Sequence, residues 1–148
     1  TWGSLVGVAW LIALLQAGNP WIWLGANLLS IPLAAALCTR AETLLGRHDP
    51  SSVVIDEIIA VPWTVLGPWV VLGHWPSAWA ESPQRLVQGW WPELVAGFLA
   101  FRFFDILKPG PIGRIQRLPA GWGVVADDIA AGLAAAVVTG LVTALRGG

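Results

Sequence analysis

Charge is what this chain has least of. Asp, Glu, Lys and Arg make up 11% of its 148 residues, against 56% apolar residues, where a soluble domain carries roughly 25% charge. The mean hydropathy of +0.69 agrees, and together these values point to a membrane protein with one domain, residues 1–148. A net charge of −1 with no basic stripe argues against a nucleic-acid partner, because nothing is present to neutralise a run of phosphates. Cysteine is nearly absent: Cys38 alone cannot form an internal disulfide and says nothing of redox compartment. Methionine is absent altogether and the chain opens at Thr1, so an N-terminal segment upstream is expected. No cleavable leader is recognisable, since Trp2–Gln16 lacks a basic stretch before it. No serine or cysteine nucleophile stands beside a histidine, so triad chemistry has no support. No internal repeat is visible.

What is present is a series of apolar runs. The spacing predicts an all-α, polytopic helical bundle of about five spans: Trp2–Gln16, Trp21–Cys38, Val53 to His74, Trp90–Phe104 and Val124–Leu145. The first is only about 24 Å long as a helix, marginal for a hydrocarbon core of about 30 Å. Pro32 falls inside the second, and Pro62 and Pro68 are expected to kink the third. Five spans alternate sides, so the polar loops 39–52 and 105–123 share a face. They hold Arg40, Arg47, Lys108, Arg114 and Arg117, while the opposite face holds Arg85 and Arg146. The bias of positive charge places the two loops in the cytoplasm. Tryptophans support this layout as an interfacial belt: Trp21, Trp23, Trp69, Trp75, Trp79, Trp90 and Trp91 on the outer side, Trp2 and Trp122 on the inner.

That topology gathers Asp49, Asp56, Glu57, Arg102, Asp105, Lys108, Asp127 and Asp128 at the cytoplasmic ends of the spans. In Phe101–Pro111 the helix is expected to stop before Lys108-Pro109, with Arg102 and Asp105 on one face. Plainer readings exist for several of these residues. Asp49-Pro50 suits an N-cap followed by proline, which would start a helix there and bring Asp56 onto the same face. Asp56 and Glu57 would both favour a positive helix N-terminus, Asp127 would cap, and Arg102 would only pair with Asp105. Against these, ionisable residues within spans are by default functional. Gly132, Ala136 and Gly140 follow Asp128 at four-residue spacing, which admits a close helix and turns Asp128 into the bundle. Gly121-Trp122-Gly123 imitates a dinucleotide fingerprint, but no βαβ unit surrounds it; the glycines read as a flexible approach to the aspartates. His48 reads as a solvated loop histidine, and Glu93 as a first-turn dipole partner on the far side.

Carboxylates beside one arginine and one lysine suit metal-assisted phosphoryl chemistry. Oxygen ligands match Mg²⁺, the cations neutralise phosphoryl oxygens, and a bound ion lowers the pKa of water.

The segments HDPSSVVIDEIIA, FRFFDILKPGPI and GWGVVADDIAAG, in this order and spacing, closely resemble the phosphatidylglycerophosphatase A family. Its pattern runs roughly DP…VVxDExxG, FRxFDxxKPxPI and GxGVMxDDxxAG. The opening TWGS looks like the end of that family's PGTxGS motif. The resemblance implies a Mg²⁺-dependent bacterial membrane enzyme that hydrolyses phosphatidylglycerophosphate to phosphatidylglycerol and phosphate. By position it makes Asp56, Glu57, Asp105, Asp127 and Asp128 candidate metal-binding or water-activating carboxylates. Asp49 joins the metal set, and Arg102 and Lys108 become the phosphate holders. Departures from the pattern are Ala60 and Ala120 in place of glycine and Val125 in place of methionine. The expected function is therefore a lipid phosphatase of the bacterial inner membrane, multi-pass, acting on a phospholipid at the cytoplasmic leaflet. The alternatives are another lipid-phosphate phosphatase or phosphotransferase, or an ion-coupled transporter, which would place its acids near mid-membrane. The sequence leaves room for a homo-oligomer.

Overall fold

The computed structural model describes residues 2–73 and 89–146. The loop expected at 75–88, with Trp75, Trp79 and Arg85, lies outside the described residues, as does His74. Among the described residues every regular element is helical and there is no strand. Helix α1 is Trp2–Gln16, α2 is Pro20–Leu45 and α3 is Ile55–Ala60. A 3₁₀ segment, Val61–Val65, leads directly into α4, Leu66–Leu72. Then come α5, Trp91–Leu107, the short α6, Pro111–Ile115, and α7, Gly121–Leu145.

Local chemistry explains the boundaries. Asn19 caps α2, its Oδ1 accepting from the N–H groups of Trp21 and Ile22 at 2.9 and 3.3 Å, and Pro20 takes the first helical position. Pro32 is carried inside α2. That helix runs past Cys38 to Leu45, so Arg40 and Glu42 lie in its last turns and not in a loop. The expected boundary follows hydropathy, whereas the helix continues through polar helix formers until Gly46 terminates it in the left-handed conformation. Pro62 lacks an N–H and crowds the preceding turn, and the chain tightens there into the 3₁₀ segment. Between Ile55 and Leu72 the expected third span is therefore three short helical pieces. Pro92 sits in the first turn of α5, and α5 stops at Leu107, before Lys108-Pro109, as the spacing predicts.

Helix α7 is the central element, packed against α2, α3, the 3₁₀ segment, α4, α5 and α6. Its small residues permit this. A Cβ on Gly132 would stand 2.6 Å from the Ala60 carbonyl oxygen, and one on Gly67 only 1.8 Å from that of Ala136. Thr139 Oγ1 donates to Thr64 O across the same seam at 2.6 Å. The expected close approach along Gly132, Ala136 and Gly140 is what the structure has: Ala60 meets Gly132 there, and the tightest contact is that of Gly67 with Ala136.

One end of the bundle is filled by aromatic rings. Trp23 packs edge-on against Trp63 and Trp69, with centroids 5.7 and 5.0 Å apart, and Leu11, Leu14, Leu15 and Val65 complete the cluster. Trp23 and Trp69 are thus core residues and not members of an interfacial belt. Trp21, Trp91, Trp2 and Trp122 are exposed, as a belt requires. At this same end Glu93, buried in the first turn of α5, accepts from Arg146 Nη1 through both oxygens at 2.7 Å. The outer faces of the helices are largely apolar, with Leu29, Val70, Val137 and Leu141 all exposed. Among the described residues two helices, α2 and α7, are long and apolar enough to cross a membrane, which is compatible with a membrane-associated protein.

The α4–α7 crossing is testable. Gly67→Ala forces a methyl group into backbone and is expected to destabilise by about 1–3 kcal/mol. Gly25→Ala, where a Cβ meets nothing within 4 Å, is expected to be neutral or to stabilise by up to about 1 kcal/mol. Thermal unfolding of the two variants in the same detergent checks the contrast, and equal melting would mean that the seam is not where it is described.

Candidate functional site

The other end of the bundle is polar, and five chain segments build it. The first turn of α1 contributes Ser4, and the bend after α2 contributes Asp49. The first turn of α3 supplies Asp56 and Glu57, and the last turns of α5 with their cap supply Arg102, Asp105 and Lys108. The second turn of α7 brings Asp127 and Asp128. All eight residues singled out in the sequence come to this one end.

They form two cation-centred groups. In the first, Arg102 Nη1 donates to Asp105 Oδ2 at 2.5 Å, the i,i+3 pair expected on α5. The same nitrogen lies 3.4 Å from Glu57 Oε2 and donates to Ser4 Oγ at 3.3 Å. Glu57 Oε2 accepts from both the backbone N–H and the hydroxyl of Ser4, at 2.8 and 2.6 Å. In the second, Lys108 Nζ donates to Asp127 Oδ2, and Asp49 Oδ2 stands 4.0 Å from the same ammonium. Gln116 Nε2 reaches Asp49 at 3.4 Å, and Glu42 Oε1 accepts from the Asp49 N–H at 3.1 Å. Glu42 also pairs with His48, so the histidine belongs to the rim. Burial alone would lower the Lys108 pKa, but the hydrogen bond to Asp127 and the charges of Asp127, Asp128 and Asp49 hold it above the ordinary lysine value.

Asp128 joins the two groups, lying within electrostatic reach of Asp56, Asp105 and Asp127. It is buried, as its place on the small-residue stripe predicts, and so are Asp56 and Asp127. One oxygen of each, Asp56 Oδ1, Asp127 Oδ1 and Asp128 Oδ2, has no hydrogen-bond partner among the described residues. A buried carboxylate oxygen left without a partner costs on the order of several kcal/mol. Two cations facing six carboxylates cannot remove that cost, so the site requires protons or further cations. The donor chemistry, oxygen only, fits a hard divalent ion. Among the described residues no three acidic, histidine or cysteine side chains converge as a finished cage.

Several local expectations are corrected. No helix starts at Asp49-Pro50: Asp49 is exposed with φ +47°, and α3 begins at Ile55. Asp49 therefore caps nothing and lies at the rim of the site. Asp56 and Glu57 occupy the first turn of α3 and do feel its N-terminus, but burial and the Ser4 and Arg102 contacts go beyond a dipole effect. Asp127 does not cap α7, which starts six residues earlier at Gly121. Gly121 and Gly123 are no flexible approach: they form its first turn. A Cβ on Gly121 would lie 2.3 Å from the Ala35 carbonyl oxygen, and one on Gly123 2.4 Å from that of Gln116. Sequence reasoning misses Ser4 and Gln116. The TWGS resemblance contains the signal for Ser4, and nothing local marks Gln116.

Backbone strain concentrates at this end. Among the described residues the non-glycine positions with positive φ are Asp49, Lys108 and Ala120. Lys108 takes the left-handed cap of α5, a place usually given to glycine. Ala120 is at φ 54°, ψ −152°, a region that is essentially glycine's own.

These features define a class: an all-helical bundle with apolar outer faces and a carboxylate-rich, cation-bearing site at one end. Residues 1–143 match the family described as phosphatidylglycerophosphatase A, and the chain belongs to that family. It is 34% identical over 139 residues to the phosphatidylglycerophosphatase A of Haemophilus influenzae, covering 93% of this chain and 74% of that one. It is 31% identical over 138 residues to the Escherichia coli protein of the same name, covering 92% of this chain and 69% of that one. A Bacteroides thetaiotaomicron protein with the provisional name phosphatidylinositol-3-phosphatase is 28% identical over 114 residues, 76% of this chain and 61% of that one. No solved structure matches this chain.

The strain at Ala120 gives the second test. Ala120→Gly is expected to stabilise the protein by about 1 kcal/mol, the lower end of the 1–3 kcal/mol attributed to such a conformation. A raised melting temperature checks it, and a lowered one would show that Ala120 is not strained.

Proposed function

We propose that this protein hydrolyses the phosphomonoester of phosphatidylglycerophosphate, releasing phosphatidylglycerol and inorganic phosphate, as a Mg²⁺-dependent step of bacterial phospholipid biosynthesis. The observation that supports it best is the set of buried, partly unpartnered carboxylates beside Arg102 and Lys108, in a chain of this family. In the reaction the oxygen of water bonds to phosphorus, the ester P–O bond breaks, and the lipid oxygen leaves with a proton. In this reading Asp56, Asp127 and Asp128 take the proton from water and, with Asp105, Glu57 and Asp49, make up the acidic set. Mg²⁺ held by these carboxylates would polarise phosphoryl oxygens and make water more acidic.

Arg102 and Lys108 each hold a carboxylate. A phosphate carrying two negative charges competes with Asp105 for Arg102 and with Asp127 for Lys108. Binding then frees one Asp127 oxygen as the ammonium turns to the substrate. The Arg102 guanidinium suits two phosphoryl oxygens at once, and Lys108 acts as a compact point charge.

In this reading the enzyme is a multi-pass protein of the inner membrane. Helix α1, the run Ile55–Leu72 and α5 serve as passes beside α2 and α7, and the acyl chains of the phospholipid stay in the bilayer. Lys108, Arg114, Arg117, Arg40 and Arg47 all belong to the site end and Arg146 to the other, which favours a cytoplasmic site. An acidic site at one end of the bundle speaks against a transporter, whose binding residues would lie near mid-membrane.

Phosphate release from phosphatidylglycerophosphate by the purified protein, with Mg²⁺ and with chelator, tests the central reading. Chelator-sensitive release is expected; its absence would overturn the assignment. Asp128→Asn is expected to lower turnover or Mg²⁺ affinity while the protein still folds, and full activity with unchanged Mg²⁺ dependence would remove Asp128 from the site. For the cations, Lys108→Ala is expected to lose about 2–4 kcal/mol of transition-state stabilisation, and Arg102→Lys to remain impaired. Kinetics at saturating Mg²⁺ separate a loss in kcat from one in KM, and wild-type constants in both variants would exclude these residues from substrate handling.

A further inference from the structure

Ser4 is fully buried, at 0% exposure, in a helix whose other residues are almost all apolar. Glycines on either side bring it to where it is. A Cβ on Gly3 would stand 2.7 Å from Val54 Cβ, and one on Gly7 2.8 Å from Val61 Cγ2. The backbone of α1 therefore lies directly on α3 and the 3₁₀ segment, and Ser4 meets Glu57 at the head of α3.

The hydroxyl acts in both directions. It donates to Glu57 Oε2 at 2.6 Å and accepts from Arg102 Nη1 at 3.3 Å. A hydroxyl has one donor and two acceptor lone pairs, so it can stand between a carboxylate and a guanidinium; alanine can do neither and a thiol does both poorly. The nitrogen it accepts from is the one held by Asp105 Oδ2 at 2.5 Å. Asp105 is three residues along the same helix, so alone it draws the guanidinium along α5. Ser4 and Glu57 draw it across, toward α1 and α3.

We propose that Ser4 is a positioning residue that, with Glu57, braces Arg102 in the orientation that receives the substrate phosphate. This rests on the reading of Arg102 as a phosphate holder. Ser4 is fully buried and acts through Arg102, taking no part in the chemical step itself. It supplies preorganisation, so that the guanidinium need not be reoriented as charge shifts in the transition state.

The test uses the full-length protein and phosphate release from phosphatidylglycerophosphate, with Ser4→Ala, Ser4→Cys, Arg102→Gln and the Ser4→Ala/Arg102→Gln double variant. Ser4→Ala is expected to lower kcat/KM roughly ten- to a hundredfold, the range for a hydrogen bond to a charged group, and mostly through kcat. Ser4→Cys, of nearly the same shape, is expected to show the same loss with an unchanged melting temperature, which separates positioning from packing even where Ser4→Ala folds poorly. In the Arg102→Gln background Ser4→Ala should cost nothing further, because the group it positions is gone. Wild-type kcat and KM in Ser4→Cys would overturn the proposal, as would the full Ser4→Ala loss recurring in the Arg102→Gln background. Wild-type activity of Arg102→Gln would overturn the phosphate-holding role itself, and this proposal with it.

Discussion

Within the site at one end of the bundle, six carboxylates face two cations, Arg102 and Lys108, while the outer faces of the helices are largely apolar. That imbalance constrains the rest of the structure. Arg102 and Lys108 are too few to neutralise the acids, so each is shared: Arg102 among Asp105, Glu57 and Ser4, Lys108 between Asp127 and Asp49. Among the described residues one buried oxygen on each of Asp56, Asp127 and Asp128 has no hydrogen-bond partner. Buried polar atoms of this kind are completed by water, a proton or a ligand.

The remainder of the bundle holds that end in place. Helix α7 carries both Asp127 and Asp128, and its small residues let Ala60 of α3 and Gly67 of α4 approach it at backbone distance. Side chains at such a seam cannot shift without moving backbone, so the aspartates inherit the rigidity of the crossing. At the far end the Trp23–Trp63–Trp69 cluster and the Glu93–Arg146 pair tie together α1, α2, α4, α5 and α7. Among the described non-glycine residues, strained backbone is tolerated only at the polar end, at Asp49, Lys108 and Ala120. The left-handed cap at Lys108 turns the chain off α5 while its ammonium reaches Asp127. Packing stabilisation at one end is what allows strain at the other.

Most of the site is legible in the residues alone. The stop of α5 before Lys108-Pro109, the Arg102–Asp105 pair and the inward face of Asp128 all follow from local rules: the steric effect of proline on its predecessor, the i,i+3 spacing, and small residues every fourth position. Helix boundaries are less legible. Polarity assigns Arg40 and Glu42 to a loop, yet nothing among residues 39–45 breaks a helix. The residue types at Asp49-Pro50 and Asp127 suit a cap, yet α3 and α7 begin elsewhere, at Ile55 and Gly121. Trp23 and Trp69 show the same limit, since indole suits an interface and a core alike.

By itself the sequence determined that the chain is helical, that its outer surface is apolar, and that cations and carboxylates accumulate at the ends of its apolar runs. These are properties of composition and of spacing along one element, where three or four residues make a turn. Only the tertiary structure decided which acid meets which cation. Glu57 goes to Arg102 and Ser4, Asp127 goes to Lys108, and Asp49 is left at the rim. Those pairings join residues 19 to 53 positions apart. They depend on how closely glycines let α1 lie on α3 and α7 lie on its neighbours, a distance that no periodicity within a single helix encodes.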